Sequence, residues 1–86
     1  MGARPLQGVR VIDVGNFLAG PFAATLMGEF GAEVIKVEPP GDGDDTRTFP
    51  PFEQGHSVYF LGINRGKKSI VIDLKTGQGV ALARDL

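Results

Sequence analysis

Apolar and β-branched residues gather in three short runs along the chain: VRVIDV at 9–14, EVIKVE at 33–38 and SIVIDL at 69–74. Runs of this length suit strands buried on both faces of a parallel sheet. Arg10 and Asp13 are charges within the first run, and a place near the strand ends suits them. Between the first two runs the period changes. Phe22, Leu26 and Phe30 follow at i, i+4 and i+8, with Ala23 and Met27 beside them. That spacing predicts one face of a helix of about ten residues. Pro21 suits the first helical position, where a missing N–H costs nothing, and Gly31 suits the residue just past the end, where positive φ is needed. Strand, glycine-ended helix and strand together predict a βαβ unit, with the helix covering one face of the sheet.

Residues 39–58, PPGDGDDTRTFPPFEQGHSV, are rich in proline, glycine and aspartate and predict a long loop. Long loops in compact units more often carry function or move than merely connect. YFLGIN is apolar again, RGKK is a basic turn, and SIVIDL reads as the third buried strand. Thr76 is a candidate N-cap for a closing helix whose first turn is weakened by Gly77 and Gly79. That helix, ending in GVALARDL, stops without a glycine, proline or polar tail, so residues 1–86 read as the N-terminal piece of a longer α/β protein.

Composition narrows the function classes. In 86 residues there are nine basic and ten acidic side chains, a formal net charge of −1, and no cysteine. The balance argues against a dedicated nucleic-acid binder, and the lack of cysteine excludes disulfides and thiolate metal sites. No apolar stretch approaches a membrane span and no secretory signal opens the chain, so a cytoplasmic location is expected.

The candidate motifs mostly fail on spacing. GINRGKKS, 62–69, brings glycine, lysines and a hydroxyl together, but Gly62 and Gly66 are one residue too close for a phosphate loop and a strand follows instead of a helix. It reads as an exposed basic turn at a strand's entrance. GNFLAGP, at the first strand-to-helix turn, lacks the dinucleotide glycine pattern, although a helix start after a parallel strand still faces ligands by geometry. GDGDD, 41–45, misses the calcium-loop spacing because Thr46 stands at the third ligand position, so a solvated turn is expected. His56 is the single histidine and has no partner nearby in the sequence to make it a general base. No metal site and no catalytic set can be assembled from these residues.

The order of motifs is more specific than any of them alone. PLQGVRVIDV, then AGP followed by GAEVIKVE, then N-R-x-K-x-S-I-x-x-D-L-K-T, resembles the start of the class III CoA-transferases, the family of formyl-CoA transferase, carnitine-CoA transferase and the α-methylacyl-CoA racemases. The likeness runs from Pro5 to the last residues. It implies a Rossmann-like α/β large domain, of which residues 1–86 are the N-terminal, CoA-binding part, with the catalytic part and a small domain elsewhere. It also implies an interlocked homodimer, no nucleic-acid or membrane partner, and no tightly bound cofactor, with coenzyme A and acyl-CoA as substrates. The implied reaction moves CoA between an acyl-CoA and a carboxylic acid through an aspartyl covalent intermediate. None of the aspartates in this chain occupies the place of the family's nucleophile, which lies downstream of residue 86.

On the CoA side, the resemblance implies contacts from Leu18 and Ala19 at the first turn, and from Ile72, Asp73, Leu74 and Lys75 at the third strand's end. Pro39 stands where many members carry an arginine that serves the nucleotide end of CoA. Proline can pack on an adenine ring but offers no cation, so phosphate contacts fall to Lys75, Arg47 or residues outside the chain. The racemase activity shares this N-terminal segment and stays an alternative. A further alternative is an inactive CoA-binding fragment, which on its own would expose apolar strand faces and be poorly stable.

Overall fold

The computed structural model describes residues 4–15 and 18–86 of the chain. Strands β1 (Arg10–Asp13), β2 (Glu33–Glu38) and β5 (Lys68–Val71) form one parallel sheet in the order β1-β2-β5. The architecture is mixed α/β, as the run pattern predicts. The two charges of the first run end their strand, Arg10 opening β1 and Asp13 closing it.

The register decides what faces what. Asp13 pairs with Lys36, and Lys36 with Ser69, so three polar side chains lie in one row on one face of the sheet. Val11 and Val34 make the row beside it.

Helix α1 (Ala19–Glu29) lies against that face, and Gly31 behind it takes φ of 107°. The helix is turned differently from the expectation. Pro21, Ala24 and Thr25 are its buried residues, whereas Phe22 and Phe30 are 42% and 54% exposed. Close approach accounts for this. A Cβ on Gly28 would come within 3.2 Å of Val34 Cγ2, so only small residues fit between helix and strand. Thr25 adds a polar clamp, its single hydroxyl hydrogen shared between the carbonyls of Pro21 and Ile63.

The segment expected as a long loop is substantially structured. A 3-10 turn covers Asp45–Thr48, and β3 (Phe52–Glu53) pairs antiparallel with β4 (His56–Ser57) through a turn in which Gln54 and Gly55 both have positive φ. Helix α2 (Val58–Ile63) follows directly, built from the apolar YFLGIN stretch. Ser57 caps it, accepting from Phe60 N–H at 3.1 Å and donating to Phe49 O at 2.5 Å.

β5 differs from the expected buried strand in both length and environment. Among the described residues it is an edge strand with β2 on one side only, and all four of its residues are exposed. It stops at Val71 because Asp73 bends the chain, its Oδ1 accepting from Lys75 N–H at 3.0 Å. Thr76 then caps α3 (Gly77–Arg84), accepting from Gly79 N–H at 2.9 Å. Gly79 is required here: a Cβ at that position would sit 1.8 Å from the Asp73 carbonyl oxygen. Among the described residues no helix is long and apolar enough to cross a membrane.

Candidate functional site

A cavity of about 380 Å³ opens where the chain leaves the carboxyl ends of the parallel strands. Open α/β sheets place ligands at this edge, because the strand-to-helix turns there diverge and leave a crevice. Val14 and Gly15 form the wall beyond β1. Val37 in β2, with Pro39, Pro40 and Gly43 to Asp45 beyond it, forms a second wall, and Ile72 to Lys75 form the wall beyond β5. Most of these side chains are apolar. Among the described lining residues Lys75 is the one cation, while Asp45 and Asp73 offer carboxylates.

Of the seven residues that the sequence points to as CoA contacts, Pro39, Ile72, Asp73, Leu74 and Lys75 line this cavity. Leu18 and Ala19 begin α1, are exposed, and are not among its lining residues. Asn16 and Phe17, in the same turn, lie outside the described residues. Arg47, the other candidate for a phosphate contact, is committed elsewhere. Its Nε and Nη2 each lie 2.7 Å from a different oxygen of Glu38, and its guanidinium stacks 4.0 Å over the Phe60 ring. His56 is exposed on β4. No group of three or more His, Cys, Asp or Glu side chains able to hold a metal ion occurs among the described residues.

Behind the cavity lies a buried ionic cluster that overturns two expectations from the sequence. The basic turn is only half exposed. Lys68 points outward and pairs with Glu33 at 2.9 Å, but the Lys67 side chain is 2% exposed. Lys67 Nζ donates to Asp13 Oδ2 at 2.6 Å, to Asn64 Oδ1 at 2.8 Å and to Pro21 O at 2.8 Å. Three acceptors saturate the three N–H groups of an ammonium. The acidic turn is likewise not wholly solvated. Asp42 and Asp45 are exposed, but Asp44 is buried, with its Oδ2 2.7 Å from Lys36 Nζ. The Asp44 Oδ1 accepts from the Thr46 N–H at 2.8 Å and hydroxyl at 2.7 Å.

Lys36 is 1% exposed and is the most buried member. Besides Asp44 it has Asp13 Oδ2 at 3.9 Å, and these contacts pair its charge without giving it a well-aligned hydrogen bond. Two ammonium groups and two carboxylates thus neutralise each other in the interior, as buried charges require. Burial pushes the Lys67 ammonium below its ordinary range, and Asp13 only partly opposes this. Burial pushes the Asp44 carboxyl up, but Lys36 and the two Thr46 donors outweigh it and leave it lowered. Arg47 holds the neighbouring Glu38 down to about 2 against burial, with help from the Ser69 hydroxyl and the Asp44 N–H.

The sequence signal for this cluster is slight. It lies in Lys36, a lysine flanked by Ile35 and Val37 in the middle of β2, and in the acidic residue that ends the strand beside it.

Comparison with known proteins gives the family. The model of CoA-transferase family III matches residues 6–86. A succinyl-CoA:glutarate CoA-transferase of Mus musculus is 54% identical over 84 residues, which cover 96% of this chain and 19% of that protein. The succinyl-CoA–L-malate CoA-transferase alpha subunit of Chloroflexus aurantiacus is 54% identical over 80 residues, 91% of this chain and 19% of the relative. The crystal structure of a CAIB/BAIF family protein from Brucella suis superimposes with a TM-score of 0.85 at 42% identity, covering 96% of this chain and 23% of that one. The chain therefore spans about a fifth of the length of the curated relatives it matches. It belongs to CoA-transferase family III.

Proposed function

We propose that this chain is the N-terminal part of the CoA-binding large domain of an acyl-CoA:carboxylate CoA-transferase, and that its cavity receives the nucleotide end of CoA. The observation that carries the reading is the convergence of Pro39 with Ile72, Asp73, Leu74 and Lys75 on one cavity at the carboxyl edge of the sheet. Pro39 and the aliphatic walls suit the faces of an adenine ring, the carboxylates of Asp45 and Asp73 suit its amino donors, and Lys75 suits a phosphate. Leu18 and Ala19, at the start of α1, belong to the proposal as contacts farther along the ligand.

In this reading the whole protein transfers CoA through an aspartyl acyl anhydride and an aspartyl-CoA thioester, formed on a carboxylate outside these residues. The proposed acceptors are short dicarboxylic acids, the class in the names of the relatives that act on glutarate, L-malate and oxalate. The assembly is a cytoplasmic, interlocked homodimer. A direct test supplies the intact protein with succinyl-CoA and glutarate, malate or oxalate and follows the new thioester. Exchange of an α-deuteron from a 2-methylacyl-CoA without any CoA transfer would establish the racemase reading instead.

A further inference from the structure

Two motifs that fail as ligand loops, the lysine pair of GINRGKKS and the aspartates of GDGDD, meet inside the molecule. Asp13 faces the cavity wall on one side and Lys67 on the other. Its Oδ1 accepts from Gly15 N–H at 2.9 Å, and its Oδ2 is the oxygen that Lys67 grips. Lys67 is itself held by Asn64 at the end of α2 and by Pro21 in α1. On the opposite wall, Asp44 is fixed by Lys36 from the central strand, and its N–H donates to Glu38 Oε1 at 2.9 Å. Asp13 and Lys36 stand side by side in the register and join the two halves. The walls beyond β1 and β2 are thus each tied to the sheet by one buried carboxylate, and each carboxylate by one buried ammonium.

We propose that Lys67–Asp13 and Lys36–Asp44 act as a charge-neutral brace that holds the Gly15 and Gly43–Asp45 walls of the cavity at the spacing CoA requires. The four residues are positioning residues: Asp13, Lys36 and Lys67 are not among the lining residues, and Asp44, which is, has its carboxylate engaged by Lys36 and Thr46, so that all four act through the backbone they hold. A preformed site spares the ligand the cost of ordering its walls, so loosening the brace should weaken binding without touching the chemistry. This inference rests on the cavity being the CoA site.

The test uses the intact protein, CoA binding by calorimetry and steady-state kinetics with succinyl-CoA. Ile72→Trp fills the cavity and tests the site. Asp13→Asn/Lys67→Met and Lys36→Met/Asp44→Asn each remove one ion pair while leaving no lone buried charge. Both pairs are expected to raise the CoA dissociation constant and the KM for succinyl-CoA by about tenfold or more, with kcat within about twofold. A merely structural role would lower the amount of folded enzyme and leave KM alone.

If Ile72→Trp abolishes binding while both pairs keep the wild-type affinity, the brace is refuted and the cavity assignment stands. If Ile72→Trp leaves binding unchanged, the cavity assignment fails and the brace as a CoA device fails with it. Should neither pair fold, amide exchange in the wild type decides. Gly15 and Thr46 are expected to open with a common free energy and to slow together when CoA binds. Independent opening of the two amides overturns the proposal.

Discussion

Lys67 Nζ lies 2.6 Å from Asp13 Oδ2 although the two residues are 54 positions apart in the chain. Both side chains are 2% exposed, so each is the counter-ion that makes the other's burial tolerable. Removing one partner of such a pair strands a charge in the interior. Lys67→Met alone is expected to destabilise the intact protein by about 3–5 kcal/mol, and the double variant Asp13→Asn/Lys67→Met by distinctly less. Denaturant titration of the two single variants and the double variant measures the coupling; strict additivity would contradict it.

The Glu38 carboxyl gives stability a defined acid limit. Its value in the fold, about 2, lies below the ordinary 4.5, so the folded form binds the proton more weakly than the unfolded chain does. The contribution is complete above about pH 4.5 and disappears as pH falls toward 2, amounting to at most about 3 kcal/mol. Glu38→Gln is expected to lower the melting temperature at pH 7 and to flatten its fall between pH 5 and 3. An unchanged acid slope in that variant would assign the loss to other carboxylates.

Two glycines of the same helix are expected to respond oppositely to alanine. At Gly79 the new methyl group would meet the Asp73 carbonyl, so Gly79→Ala should cost roughly 1–3 kcal/mol and loosen the cavity wall it is seated on. At Gly77 nothing lies within 4 Å, and Gly77→Ala should stabilise by up to about 1 kcal/mol through better helix propensity. Melting temperatures of the two variants of the intact protein, measured side by side, check the contrast.

Expressed alone, the 86-residue chain is expected to melt without a cooperative transition and to bind a hydrophobic dye. Phe22, Leu26 and Met27 on α1, Phe30 just past its end, and Ile70 and Val71 on the edge strand are all exposed in it. Few large apolar side chains are buried, and small units bury too little surface to offset chain entropy. A sharp calorimetric peak for the isolated chain would be the contrary result.

The sheet was legible in the sequence because its strands are apolar, β-branched runs whose period needs no tertiary knowledge. The orientation of α1 was not. Periodicity identified the stripe of Phe22, Leu26 and Phe30, but an approach close enough to bring Val34 Cγ2 beside Gly28 favoured the small side chains of the opposite face. The structure within residues 39–58 is hidden because its order comes from side chains, Arg47 meeting Glu38 nine positions back and Ser57 meeting Phe49 eight positions back, a spacing that no periodicity marks. The segment lining the cavity, Ile72 to Lys75, is legible only through family resemblance, since four residues with one charge of each sign carry little signal alone. The buried cluster is not legible for the same reason that exposed lysines are expected: sequence spacing places Lys67 and Lys68 in one turn but does not say which enters the interior.

Those adjacent lysines occupy opposite environments, one saturated with acceptors in the interior and one 73% exposed beside Glu33. An amine-acylating reagent should therefore modify Lys68 in the native protein and reach Lys67 only when the fold opens. The pair is a built-in chemical gauge, in which the ratio of labelling at two neighbouring positions reads the opening of the interior against a reference one peptide bond away.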